Sequence, residues 1–311
     1  MNPRTQVEDV AASPVRAVRA VRARRLRAVI RTGRPRQWPK NLLVMAAPLA
    51  GGVLDRPGEA VRVAAAGIAF LLASIAVYAA NDIADAERDR AHPVKRSRPV
   101  AAGDLPGRHA LLLAAGCAIP ALAVGLVTGI PLLSAAVAGY LALSFGYSVG
   151  LKHVPGVEAL LVASGFLLRV LGGAVATRVA PSGWFLLVCS CGALGVAIAK
   201  RYAERITLGD DASLHRPVMR SYQAWFLRLG QHVVVVVMTA CYLRWALGEP
   251  GGVRAWHLVS VLPLAAASCR FAFLTGRPTI RPVEDMIARD GTMLACEAAW
   301  ASLFVTGLYL W

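Results

Sequence analysis

The sequence predicts an all-α, polytopic membrane protein, and three observations carry that prediction. The chain is 57 % apolar, with a mean hydropathy of +0.54 and only 17 % charged residues, too apolar for a typical soluble domain and too regular for disorder. Its apolar residues gather into nine runs of roughly 17 to 22 residues, the length a helix needs to cross a hydrocarbon layer of ~30 Å. Most of its charge falls between those runs.

The runs lie near 41–55, 63–80, 109–126, 130–148, 156–176, 183–199, 231–248, 255–273 and 291–311. The first is short and interrupted by Pro48 and a pair of glycines, so its edges are the least defined. A net charge of +16 would suggest nucleic acid in a soluble protein, but the placement of the charge argues otherwise. If the N-terminus is cytoplasmic, the inside segments hold 27 of the 34 Lys and Arg residues. Arg56, Arg62, Arg178 and Arg254 fall outside, and Arg169, Arg244 and Arg270 fall within runs. That asymmetry predicts a multi-pass membrane protein with its N-terminus inside and C-terminus outside. The lipid bilayer is its surroundings, and no nucleic acid partner is expected.

The six cysteines all fall inside predicted helices, without metal-ligand spacing or a disulfide framework, and read as small packing residues. The first thirty residues are rich in arginine ("VRAVRAVRARRLRAV") and lack an apolar core, so no cleavable signal peptide is expected. Residues 1–33 read as a mobile basic tail drawn to anionic headgroups, and 34–311 as a single transmembrane domain. Two long segments, 81–108 and 200–230, interrupt otherwise short loops, and loops of that length usually carry function.

The first of them, "NDIADAERDRAHPVKRSRPVAAG" (81–103), concentrates both signs of charge. Asn81, Asp82, Asp85 and Asp89 form N-D-x-x-D-x-x-x-D; on a continuing helix 81, 85 and 89 share a face with Asp82 beside them. Amide and carboxylate oxygens suit a hard divalent cation, and Mg2+ is typically held by one or two carboxylates together with substrate phosphates. Downstream, Lys95, Arg96 and Arg98 can fork onto phosphate oxygens. The competing reading is a solvated, salt-bridged helix end followed by positive-inside residues, and spacing alone leaves both open.

In a nine-helix chain, this motif at the cytoplasmic end of the second helix resembles the UbiA superfamily of intramembrane prenyltransferases. The resemblance runs from Arg34 to Trp311. It implies a helical bundle around a central cavity open to the cytoplasm, catalysis with Mg2+ bound by Asn81, Asp82, Asp85 and Asp89, and Lys95 and Arg98 as catalytic partners. Within the superfamily, "RPRQWPKNLLVMAAPL" (34–49), "YSVGLKH" (147–153), "SGFLLRVLGGAVA" (164–176) and "AKRYAER" (199–205) are similar to a branch that transfers phosphoribosyl groups. That branch implies 5-phosphoribosyl 1-diphosphate as donor, decaprenyl phosphate or a similar polyprenyl phosphate as acceptor, and a role in arabinogalactan precursors of the cell wall. It leaves homo-oligomerisation open.

One departure from the family supports that branch. Ordinary members carry a second motif, D-x-x-x-D, at the end of the sixth helix; here the chain reads Lys200, Arg201, Tyr202, Ala203, Glu204. Lys200 and Glu204 make a helix-end ion pair in one reading. In the other, Lys200, Arg201, Tyr202 and Glu204 bind the donor. Asp210 and Asp211 are expected in a turn.

Arg169 lies inside the fifth span, where a guanidinium costs ~2.5–3.5 kcal/mol on insertion scales, so it should face the bundle interior, with snorkelling outward the alternative. Lys152 and Glu158 stand near the mouth of the same helix. Glu297, in the last span, has Arg244 or Arg270 as candidate partners. Arg36, Lys40 and Asn41 precede the first helix and form either an interfacial basic collar or a grip on the lipid phosphate. His92 is a candidate for the donor phosphate, and the scattered histidines suggest no zinc site. The remaining alternatives are prenyl transfer to an aromatic or quinone-precursor acceptor, and a membrane transporter.

Overall fold

The computed structural model describes residues 14–91, 94–209, 217–278 and 283–309. They form α1 (Pro14–Thr32), α2 (Ala46–Ala50), α3 (Pro57–Ala84), α4 (Ala86–Ala91), α5 (Gly107–Val127) and α6 (Pro131–Val149). There follow α7 (Val157–Ala176), α8 (Gly183–Leu208), α9 (Ala224–Gly248), α10 (Gly251–Thr275), α11 (Val283–Ile287) and α12 (Gly291–Tyr309). Eight of these, α3, α5 to α10 and α12, are long and apolar enough to cross a membrane. They coincide with eight of the nine expected spans.

The stretch 41–55 is different. It continues a 3-10 run over Pro35–Met45, passes into the five-residue α2, and turns at Gly52, whose φ is +59°. Pro39 lies inside the 3-10 run, and its ring and missing N–H are incompatible with a regular α-helix interior.

The chain divides into two compact units, Met1–Trp38 with Ser74–Ala118, and Pro39–Ala73 with Ile119–Trp311. In the first, residues 14–32, expected within a mobile tail, are helical, and the end of that helix is docked. Ala28 is buried with Val100, Leu105 and Ala110, and Val29, Ile83 and Ala86 pack against the cluster. Arg24 pairs with Asp104 at 2.7 Å, and Arg31 donates to the Ser97 carbonyl at 2.6 Å. A small apolar stripe between arginines therefore gives this segment a partner surface that its composition conceals.

In the second unit α7 packs against α6 and α8, α8 against α9, α9 against α10, and α10 against α12. The enclosed face of α7 is built from small residues, among them Ala159, Ala163, Gly165, Gly172, Gly173 and Ala174. Such residues let backbones approach closely where no hydrophobic force drives helices together. A Cβ on Gly173 would run into the carbonyl of Val44, and one on Gly172 into the ring of Phe70. Toward the other end, α9, α10 and α12 are joined by stacked Trp245, His257 and Phe304. Tyr242 meets the Ser260 hydroxyl at 2.7 Å and accepts from the Trp300 indole at 3.1 Å.

All six cysteines are free. Arg270 pairs with Asp290 at 2.8 Å, and the same carboxylate accepts the Met293 amide at the start of α12. Asp290 is thereby held below the usual carboxylate range, chiefly by the Arg270 hydrogen bond. Arg244 lies over the ring of Trp184. Neither contact involves Glu297, the partner expected for one of these arginines.

Gly173→Ala should lower the stability of the protein by about 1–3 kcal/mol, because the obstacle is backbone and cannot rotate away. An unchanged unfolding midpoint in detergent would show that α7 does not need this approach.

Candidate active site

The chain enters the first charged cluster through a strained residue. After α1 ends, Gly33 and Arg34 turn it toward the 3-10 run, with Arg34 at φ +50°. A non-glycine side chain in this region is uncommon and costs on the order of 1–3 kcal/mol unless its surroundings hold it there. The following Pro35 already excludes ordinary helical geometry at Arg34. Its guanidinium donates to Asp82 at 2.5 Å and lies 4.8 Å from the ring centroid of Tyr78.

Asp82 is 2 % exposed and Asp89 4 %, so both carboxylates need cationic partners. Arg98 Nη1 supplies one for both, 2.7 Å from Asp89 and 3.6 Å from Asp82. Helical bonding carries the first acid toward the last: the Asp85 amide donates to the Asn81 carbonyl at 2.9 Å and the Asp89 amide to the Asp85 carbonyl at 2.8 Å. The backbone thus runs on through the motif as expected, but the acids divide differently. Asp82 and Asp89, seven residues apart, share Arg98, while Asp85 pairs with the exposed Arg88 at 2.5 Å. An exposed pair of this kind contributes less than about 1 kcal/mol.

Lys95 and Arg96 stand on the 3-10 turn Lys95–Ser97 that leads into Arg98, half-buried and exposed respectively. Asn81 is half-buried. His92 lies outside the described residues, as do Asp210 and Asp211. Among the described residues no three His, Cys, Asp or Glu side chains converge as a metal site. What converges is two carboxylates on one cationic nitrogen. A compact cation can be shared in the same way if other oxygens complete its shell.

Two buried ionic groups of the second unit involve residues singled out from the sequence. Arg169 is buried and all three of its nitrogens donate: Nε to Asn41 at 2.9 Å, Nη1 to the Gly165 carbonyl at 2.6 Å, and Nη2 to the Tyr140 hydroxyl at 3.1 Å. Its carbon lies 4.5 Å from the Tyr140 ring centroid. These contacts tie the 3-10 run to α6 and α7, so Arg169 and Asn41 form a joint between them. Arg36 is exposed and Lys40 half-buried on the same run.

Arg201 clasps Glu158 with two hydrogen bonds, Nε to Oε1 at 2.6 Å and Nη2 to Oε2 at 2.7 Å, and reaches Glu204 at 3.2 Å. Glu158 is fully buried, so it does not stand at a mouth. Glu204 thus accepts from Arg201, three residues before it on α8. Tyr202 turns the other way, into a cluster with Val218, Met219, Tyr222 and Leu227, and Lys200 and Lys152 are half-buried. The sequence reading passed over Arg34. Its signal was the Arg-Pro step at the end of a helix, which says that the chain turns but not that Asp82 receives it.

The fold is that of an intramembrane helical protein with an ion-paired aspartate cluster at the end of a spanning helix. The chain matches the UbiA prenyltransferase family over residues 42–280 and belongs to that family. It is 38 % identical over 281 residues to the decaprenyl-phosphate phosphoribosyltransferase of Mycobacterium tuberculosis, covering 88 % of this chain and 91 % of that one. To the protein of the same name from Corynebacterium glutamicum it is 34 % identical over 290 residues, covering 91 % and 87 %. Its fold is similar to that of a UbiA homolog from Archaeoglobus fulgidus bound to GPP and Mg2+, with a TM-score of 0.68, 15 % identity, and coverage of 91 % and 98 %.

Glu158→Gln removes the buried charge that both arms of Arg201 hold, leaving only the part-exposed Glu204 as its anionic contact, and should destabilise the protein by about 3 kcal/mol. The double replacement Glu158→Met with Arg201→Met should recover most of that loss in detergent unfolding. A double variant as unstable as the single one would contradict this account of the pair.

Proposed function

We propose that this chain transfers a 5-phosphoribosyl group from 5-phosphoribosyl 1-diphosphate to decaprenyl phosphate or a similar polyprenyl phosphate, releasing diphosphate. The observation that carries this reading is the buried Asp82–Asp89 pair bridged by Arg98 and held by Arg34 at the end of α3. It stands in a chain similar over about nine-tenths of its length to relatives bearing that activity in their names. The reaction belongs to the cytoplasmic face of the plasma membrane, in the supply of arabinose for the cell wall.

Asp82 and Asp89 would hold Mg2+ between them, with substrate phosphate oxygens and water completing its shell. When bound, the ion supplies charge neutralisation to the departing diphosphate. Arg34 and Arg98, released from the two carboxylates, turn their forked donors to the phosphate oxygens. Lys95 and Arg96, on the adjoining turn, extend the same positive field. These groups are in place before the ribose–diphosphate bond weakens, so they stabilise the leaving charge without reorganising solvent. The nucleophile is a lipid phosphate oxygen, already anionic at neutral pH, so no side chain has to remove a proton. Attack opposite the leaving group inverts the anomeric carbon.

The end of α8 carries Lys200 to Glu204 in place of a second acid pair, which weighs against an isoprenyl diphosphate as donor. The transporter reading loses ground because the buried ionic groups Arg169 and Glu158–Arg201 are tied to fixed partners.

The test uses purified protein in liposomes with labelled donor. Polyprenyl phosphate should be labelled and polyprenol should not. A ribose 1-diphosphate without its 5-phosphate should be at least tenfold poorer, since each lost charge-assisted bond is worth ~1.5–3 kcal/mol. Equal rates with and without the 5-phosphate would return the chain to prenyl transfer.

A further inference from the structure

A groove with a cavity of about 460 Å³ lies between α9 and α10 in the second unit, with Tyr202 of α8 at its side. It has two chemically distinct ends. Arg228 and His232 lie in the first turns of α9, and Arg277 follows the last turn of α10, so three basic side chains gather where α9 begins and α10 ends. Deeper along the same two helices the lining is Val235, Val236, Cys269 and Ala272. Phe273 also lines the groove, with Arg277 4.3 Å from its ring centroid and Arg270 5.4 Å from it. The stacking of Arg277 on Phe273 limits how far that guanidinium can wander. The His232 Nδ1–H donates to the Arg228 carbonyl at 2.7 Å, which fixes the ring and leaves Nε2 as its other polar atom.

An ordinary basic collar at a helix end has no need of a concave apolar continuation. Here the lining changes from cationic to aliphatic along one groove, which is the polarity of a single lipid chain with an anionic head. The head is narrowed by charge. Two guanidiniums match a phosphate monoester, which carries close to two negative charges at neutral pH, better than a phosphodiester with one. The α9 N-terminus adds positive potential, and no acid stands in its first turn to cancel it. The cavity is within the size range of small-molecule sites and takes a phosphate with the first branched units of a chain; the remainder lies in the bilayer.

We infer that this groove is a docking site for the phosphate head of a polyprenyl phosphate, separate from the Asp82–Asp89 cluster, where the acceptor lipid is collected from the membrane. This assignment of the ligand rests on the proposed function. The phosphate sits between Arg228 and Arg277, and the chain runs along Val235 and Val236.

The test reconstitutes the full chain into phosphatidylcholine nanodiscs doped with decaprenyl phosphate, decaprenol or phosphatidylglycerol, and measures by mass spectrometry the lipid retained after extraction into detergent. Wild type should retain decaprenyl phosphate at least tenfold over the other two. Arg228→Gln with Arg277→Gln should erase that preference, and Arg228→Lys should keep most of it. Val236→Trp, a change at an exposed position that fills the apolar end, should lower retention without removing a charge. In turnover, the double variant should show an acceptor KM raised about tenfold with kcat unchanged. Equal retention by wild type, the double arginine variant and Val236→Trp would overturn the site. Phosphatidylglycerol held as tightly as decaprenyl phosphate would overturn the choice of head, and competition by millimolar inorganic phosphate alone would mean that the chain contributes nothing. A protein that retains the lipid selectively yet transfers no phosphoribosyl group would sink the proposed function while leaving the groove in place.

Discussion

A charge inside a hydrocarbon slab must bring its partner with it, and that constraint governs this molecule more than any apolar contact. Isolated ionised groups are too costly to bury, whereas helices packed on one another in lipid gain little from hydrophobicity. Two buried ionic groups of the interior are accordingly organised as closed sets. Arg169 spends its donors on Asn41, Gly165 and Tyr140, and Glu158 receives both arms of Arg201. Each set fixes the rotation of the helices that supply it, because a helix turned by one residue would strand a charge.

The aspartate cluster obeys the same constraint with a different outcome. Its pairs are not closed: Arg34 and Arg98 retain 28 % exposure each, against 2 % for Asp82. The carboxylates are deep while their cationic partners reach toward water. Such an arrangement can exchange one cation for another, which the sealed pair of Glu158 and Arg201 cannot. Strain at Arg34 is consistent with this role, since a left-handed arginine persists only where its contacts hold it. The difference sets the buried Glu158–Arg201 pair apart from the part-exposed Arg34 and Arg98.

Much of this was legible from the sequence. Eight spans follow from length and hydropathy alone, and the aspartate motif stands out because both signs of charge crowd into one segment. The rest depends on information that local pattern does not contain. The segment around Pro39 has the composition of a span edge, but the proline ring and its missing N–H interrupt a regular α-helix there. Around α8, a single step of 100° separates Lys200, Arg201 and Tyr202, and it decides which meets Glu158 and which enters the Met219 cluster. Arg34 finds Asp82 across 48 residues of sequence, a distance over which spacing rules say nothing. The docked end of α1 was hidden because arginine dominates its composition while Ala28 and Thr32 make the contacts.

The central claim is that the Arg-bridged pair of Asp82 and Asp89 is the donor diphosphate site. Calorimetric titration of 5-phosphoribosyl 1-diphosphate with Mg2+ into wild type, Asp82→Asn and Arg34→Gln in detergent addresses it without turnover. The account predicts that both variants lose at least tenfold in affinity and that the wild-type heat vanishes when the ion is chelated. Unchanged affinity in both variants, with both still folded, would contradict it.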